Sequence, residues 1–145
     1  MKHLATEIII NAPIETVWDE LMDFKSYPEW NPFVISIKGR KMAGKNLQIV
    51  LKTLKGKEMH FEPVVIKCKT YDEFRWRGKF GIRGIFDGEH YFVLEALGTH
   101  QTVLMHGEFF SGLLVGIMGN LLKDTKESFI QMNKALKARC EQDFL

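Results

Sequence analysis

The chain has 145 residues, 46% hydrophobic and 26% charged, with a formal net charge of +2. That is the length of one domain, able to bury roughly 70% of its unfolded surface without staples. Its 20 basic and 18 acidic side chains are interspersed, which argues against a nucleic-acid surface. Cys68 and Cys140 lie far apart and fit no CxxC or Cys/His pattern, a usage that suits a reducing compartment. No run of about 18 apolar residues is present to span a membrane. Residues 1 to 12 alternate instead of forming an apolar core, so no export signal is read there and a cytoplasmic location is expected.

In chain order, Leu4 to Asn11 alternates, with Leu4, Thr6, Ile8 and Ile10 on one face, and reads as a strand. Asn11-Ala12-Pro13 starts a short helix, since proline suits the first turn, and Val17, Trp18, Leu21 and Met22 form its apolar face. Asp23 is placed to cap a second short helix, which Pro28 should limit. Five further alternating segments follow: Phe33 to Lys38, Leu47 to Leu51, Met59 to Lys69, Phe74 to Phe80 and His90 to Leu94. Pro63 predicts a bulge or an edge inside the third of them, where Val64, Ile66 and Cys68 oppose Lys67 and Lys69. Gly78, Gly81, Gly84 and Gly88 suggest a flexible connection, and Lys52 to Lys57 a solvated hairpin tip. Thr102 to Phe110 completes seven strands. From Leu113 to about Cys140 runs a long helix pattern, with Leu114, Met118, Leu121, Thr125, Phe129, Met132 and Leu136 spaced by three or four. Its length would be about 40 Å. Gly116 and Gly119 at its start suggest close packing on a sheet. Successive strands with short turns favour an antiparallel meander that wraps the helix and encloses a cavity.

The string Ile10-Asn11-Ala12-Pro13-Ile14-Glu15-Thr16-Val17-Trp18 resembles the opening motif of the START/polyketide-cyclase superfamily (SRPBCC, helix-grip fold). Asp23 to Phe33 is similar to its second motif, and Gly88 to Phe92 and Gly107 to Leu114 to its C-terminal half, nearest the polyketide cyclase/dehydrase branch. The resemblance implies an α+β fold over residues 1–145, with a seven-stranded antiparallel sheet curled around the C-terminal helix. Two short helices would close one end over an apolar pocket. It implies no single reaction, because the family spans aromatic cyclases, lipid and hormone carriers and chaperone-linked modules.

The polar residues expected to face inward carry the chemistry. A turn at Leu97 to His100 pairs Leu94 with Leu104, Phe92 with His106 and His90 with Glu108. A slip of one residue would instead turn Val103, Met105 and Phe109 inward. In the first register His90, His106 and Glu108 sit among apolar neighbours, where they could satisfy one another, anchor a ligand or move a proton. Trp18 and Trp76 read as core or pocket wall, and Trp30 with Phe33 as lid residues. The expected function is binding of a small hydrophobic or amphipathic molecule. Its walls would be Trp30, Phe33, Trp76, Phe92, Leu104, Phe110, Leu114 and Met118, with His90, His106 and Glu108 orienting it. Two alternatives stand beside it: a cyclase or dehydratase using Glu108 or His106, with His90, as acid–base groups, and a protein-interaction module with a filled core. No cofactor, metal or nucleic acid is expected, and a homodimer is a candidate assembly.

Overall fold

A computed structural model describes residues 1–79, 87–112, 115–117 and 119–142. The described residues form eight strands and three α-helices: β1 (Lys2–Ile10), α1 (Ile14–Met22), α2 (Tyr27–Trp30), β2 (Val34–Gly39), β3 (Leu47–Lys52), β4 (Glu58–Phe61), β5 (Val64–Lys69), β6 (Glu73–Lys79), β7 (Asp87–Gly98), β8 (Gln101–Ser111) and α3 (Gly119–Gln142). Every pairing among these strands is antiparallel.

The single seven-stranded sheet is corrected to two sheets, a five-stranded one in the order β1-β8-β7-β6-β5 and a three-stranded one in the order β2-β3-β4. The reason is Pro63. Proline has no N–H for a ladder and a fixed φ, so the expected long strand divides there, and β4 and β5 join different sheets. The seam stays closed by backbone bonds: Leu47 N to Pro63 O (2.9 Å), Val65 N to Lys45 O (2.9 Å) and Gly44 N to Val65 O (2.8 Å). A shift in register between Val65 and Lys67 breaks the alternation in β5. Val65 is therefore buried and Val64 is exposed, the reverse of the expected pattern.

Alternation decides the rest of the five-stranded sheet. Phe74 and Trp76 of β6 face the core, while Arg75 and Arg77 point outward to Glu89 at 3.0 and 3.5 Å. Gly78 and Gly88 are a paired position in the ladder, not part of a loose connection. The other glycines of that segment, with Phe80, lie outside the described residues. At Gly107 a Cβ would collide with the Tyr91 hydroxyl and the Leu4 carbonyl oxygen, so only glycine lets β1 and β7 approach β8 there.

Helix α1 buries Val17, Trp18, Leu21 and Met22, as its spacing predicts. Asp23 makes no side-chain cap. Its carbonyl instead accepts from the Ser26 N–H (3.1 Å) and hydroxyl (2.9 Å). The short helix expected from Phe24 to Tyr27 is a 3-10 turn, Phe24–Ser26, and Pro28 sits in the first turn of the α2 that follows, where a missing N–H costs nothing, so it opens α2. The C-terminal helix begins at Gly119, later than its sequence pattern suggests, and a short 3-10 turn, Val115–Ile117, precedes it. Gly119 has φ of +31°, a conformation that favours glycine. At Gly116 a Cβ would meet nothing within 4 Å among the described residues. Within α3 the apolar stripe is buried from Phe129 onward, through Met132, Leu136 and Cys140, while Leu121 is 52% exposed. That buried half of α3 packs against β1, β8 and α1, and the main core lies between it and the inner sheet face.

Candidate functional site

The hairpin of β7 and β8 has the expected register: Leu94 opposite Leu104, Phe92 opposite His106, His90 opposite Glu108. Their side chains share the inner face, so three polar groups enter the core together. His90 Nδ1 lies 3.2 Å from Glu108 Oε1, and His90 Nε2 lies 2.7 Å from His106 Nε2. His106 Nδ1 lies 2.7 Å from Asn133 Oδ1 on α3. Asn133 Nδ2 donates to Thr6 Oγ1 of β1 (2.8 Å), and the Thr6 hydroxyl donates to the His106 carbonyl oxygen (2.6 Å).

The directions from Thr6 to His90 Nε2 follow from that last carbonyl, which can only accept. Thr6 must donate to it and therefore accept from Asn133, which turns the amide oxygen toward His106. His106 then carries its proton on Nδ1 and accepts at Nε2. His90 must donate from Nε2; its Nδ1 then either accepts from a protonated Glu108 or, on an imidazolium, donates to a Glu108 carboxylate. Burial favours the first of these, the neutral chain: it raises the Glu108 carboxyl to about 8 and lowers the His90 imidazole to about 3. Burial also holds His106 well below its usual range, helped by neighbouring His90 and opposed by the Asn133 hydrogen bond.

Aromatic rings seal this chain from water. Trp76 stacks on His90 at 4.6 Å, and Phe92 and Phe129 stack on His106 at 4.4 and 4.3 Å. His106 has no exposed surface and His90 is 3% exposed, so Glu108, at 8%, is the most open of the three. Its carboxyl lies over Gly88, where a Cβ would collide with Oε2. Asn133→Leu strands the His106 Nδ1–H without a partner. It is expected to cost about 2–3 kcal/mol, and thermal unfolding should show it as a melting point roughly 4–10 °C lower. An unchanged melting point would show that the chain adds no stability.

Among the described residues no group of three His, Cys, Asp or Glu side chains is placed to hold a metal ion, the His90–His106–Glu108 chain included. The 2.7 Å between the two imidazole nitrogens is hydrogen-bond spacing. Two nitrogens on one tetrahedral zinc stand about 3.3 Å apart.

A cleft of about 440 Å³ opens elsewhere, between the three-stranded sheet and α3. Asn31, Pro32, Phe33 and Ile35 form one wall, Lys52, Thr53, Leu54 and Gly56 the β3–β4 side, and Ser128 and Gln131 the helix side. Asn31 is placed by its own turn: its Oδ1 accepts from the Phe33 and Val34 N–H groups, both at 2.9 Å. Its Nδ2 is buried and has no partner among the described residues, as is Trp30 Nε1. Phe33 joins the cleft to the core, its ring 5.6 Å from that of Phe129. A second cleft of about 340 Å³ lies at the other end of the five-stranded sheet, by Met1, Arg77, Gly88 and Phe109.

The expected site residues thus separate. Trp76, His90, Phe92, Leu104, His106 and Glu108 are gathered in the buried core, and none of them lines either cleft. Phe33 lines the larger cleft. Trp30, half-buried, packs edge-on against Tyr27 at 5.2 Å. Phe110 belongs to a small separate cluster with Val115. Leu114 and Met118 lie outside the described residues. Asn133, Thr6 and Asn31 were missed as site residues. Asn133 had a signal, since it falls on the Phe129–Met132–Leu136 stripe, and Thr6 had one on the inward face of β1.

The chain matches, over residues 1–141, the family described as polyketide cyclase / dehydrase and lipid transport, and it belongs to that family. No curated protein matches it. Solved structures agree on the fold. A START superfamily protein from Mycobacterium smegmatis is 22% identical with a TM-score of 0.76, covering 97% of each chain. The Zhui aromatase/cyclase from Streptomyces sp. R1128 is 14% identical with a TM-score of 0.80, covering 99% of this chain and 96% of its own. The protein TTHA0849 from Thermus thermophilus is 19% identical with a TM-score of 0.77, covering 98% and 99%. No helix among the described residues is long and apolar enough to cross a membrane.

Proposed function

We propose that this protein binds a small hydrophobic or amphipathic molecule between the three-stranded sheet and α3. The observation that carries this reading is the cleft of about 440 Å³ beside Phe33 and Ser128. Its size lies in the range of small-molecule sites, roughly 300–1,000 Å³. Its walls combine apolar surface with a few polar groups. Membership of a family that includes lipid transport supports the same class of ligand. In this reading the Glu108–His90–His106 chain supports the site from within and fixes how β7, β8, β1 and α3 pack.

Native mass spectrometry of protein purified without detergent, followed by denaturation and extraction, tests the reading. A stoichiometric small-molecule adduct is expected, and Ile35→Glu, which places a charge in the cleft wall, should abolish it. An adduct that survives Ile35→Glu would place the ligand elsewhere. Protein that is clean in mass and takes up no added apolar compound would overturn the proposal.

A second reading is favoured by the protonated state of Glu108. A carboxylic acid kept neutral near pH 7 is a hydrogen-bond donor or general acid, and one structural relative is an aromatase/cyclase. Under that reading Glu108, with His90 and His106 behind it, would protonate a polyketide-like substrate during cyclisation or dehydration. Its test is a pH–rate profile that loses one limb in Glu108→Gln. A profile unchanged by that substitution would remove Glu108 from the chemistry.

A further inference from the structure

We propose that Thr6 is a positioning residue that keeps Glu108 in its acid form, acting through Asn133, His106 and His90; this deepens the reading of Glu108 as an acid and rests on it. Thr6 lies four hydrogen bonds from Glu108: to Asn133 (2.8 Å), on to His106 (2.7 Å), to His90 (2.7 Å) and to the carboxyl (3.2 Å). Such a chain has two polarities, because an amide can turn over and a neutral imidazole can carry its proton on either nitrogen. Every group in it must point the same way as its neighbours. The choice is made at the Thr6 end. Thr6 and His106 are partners across β1 and β8, and the Thr6 hydroxyl is held 2.6 Å from a carbonyl oxygen that cannot donate. Thr6 gives its proton there and can offer Asn133 only a lone pair. The polarity that follows puts the His90 proton on Nε2 and leaves a lone pair on Nδ1, facing Glu108. A carboxylic acid completes that arrangement. A carboxylate would set two lone pairs against each other at 3.2 Å, unless His90 took a second proton. Packing of His90 among Trp76, Phe92 and Phe129 disfavours that imidazolium. In the opposite polarity a neutral His90 would donate from Nδ1 and stabilise the carboxylate. Thr6 therefore withholds from Glu108 the donor that would favour its ionisation. No second charge on the neighbouring strands replaces it: β1 places Leu4 opposite Glu108, and β7 places His90 opposite it and Gly88 against Oε2. Among the described residues His90 is the only titratable side chain within hydrogen-bond or ion-pair reach of the carboxyl.

Nuclear magnetic resonance of the full chain tests this without a substrate. In wild-type protein, long-range proton–nitrogen correlations at neutral pH are expected to place the His106 proton on Nδ1 and the His90 proton on Nε2. Thr6→Val keeps the shape of the side chain and removes its hydroxyl, so Asn133 is free to turn over. The Glu108 carboxyl carbon should then titrate at least about one pH unit lower than in wild type, the effect of one charge-assisted hydrogen bond gained by the carboxylate. Above that midpoint the imidazole protons should sit on the other nitrogens, Nε2 of His106 and Nδ1 of His90. Thr6→Ser retains the hydroxyl and should restore the wild-type titration and tautomers. A Thr6→Val protein with the wild-type midpoint and tautomers would overturn the assignment. So would wild-type imidazoles found protonated on the other nitrogens, a result that needs no variant to fold. A pH–rate profile unchanged in Glu108→Gln would remove Glu108 from the chemistry and leave these spectra as they are, so the two failures are told apart.

Discussion

Truncating Phe129 to alanine is expected to destabilise this protein more than any other substitution considered, by about 3–5 kcal/mol. The ring is fully buried and stands at the junction of three structures. It stacks on His106 at 4.3 Å, meets His90 edge-on at 4.9 Å and touches Phe33 at 5.6 Å. Its removal leaves a cavity that backbone on both sides cannot close. It also opens the polar chain to water and unseats the wall of the cleft. Chemical denaturation should show the loss as a lower midpoint at an unchanged slope. Ligand uptake should fall with it, because Phe33 loses its support. A loss of less than about 1 kcal/mol would mean that α3 repacks freely.

The second large effect is a dependence of stability on pH. The folded Glu108 carboxyl, at about 8, lies above its ordinary value of 4.5. Its contribution is complete below the ordinary value and is lost as pH rises toward the folded one. His90 and His106 shift the other way, from 6.5 downward, so their contribution is present above 6.5 and is lost as pH falls. The two trends together place the maximum near the ordinary histidine value. Unfolding free energy is expected to fall by about 1–2 kcal/mol between roughly pH 6.5 and pH 8. Glu108→Gln, neutral at every pH, should flatten that alkaline limb and leave the acid limb in place. An alkaline limb that survives in Glu108→Gln would assign the titration to another group.

Much of the site-bearing region was legible in the sequence, for a clear reason. β7 and β8 hold one register from Asp87 opposite Ser111 to Ala96 opposite Thr102, irregular only beside the turn, and it sends apolar side chains and the three polar ones inward together. β1 and α1 were legible for the same reason, a clean period. What escaped were the places where period alone fails. Pro63 signalled an irregularity, but not that β4 and β5 would pair with different partners. The irregular register at Val65 moved the buried position by one residue. The start of α3 was misplaced because glycine and leucine continue a helical spacing that the positive φ of Gly119 interrupts. Leu121 shows that an apolar residue in phase with a stripe is buried only where something covers it. Asn31 and Asn133 were passed over because asparagine beside apolar neighbours reads as surface. Their importance comes from hydrogen bonds that only tertiary contacts define.

The path of the first strand has a consequence for the making of the molecule. Thr6 bonds to a carbonyl 100 residues later and to an amide 127 residues later. At about 5–20 residues per second, the ribosome delivers Asn133 roughly 6–25 s after Thr6. Until Thr102 to Met105 are made the Glu7-Ile8-Ile9-Ile10 segment has no sheet neighbour, and it waits longer still for its covering helix α3. During synthesis this strand is the part of the chain most open to unwanted pairing with another nascent chain, and most in need of a chaperone's shelter.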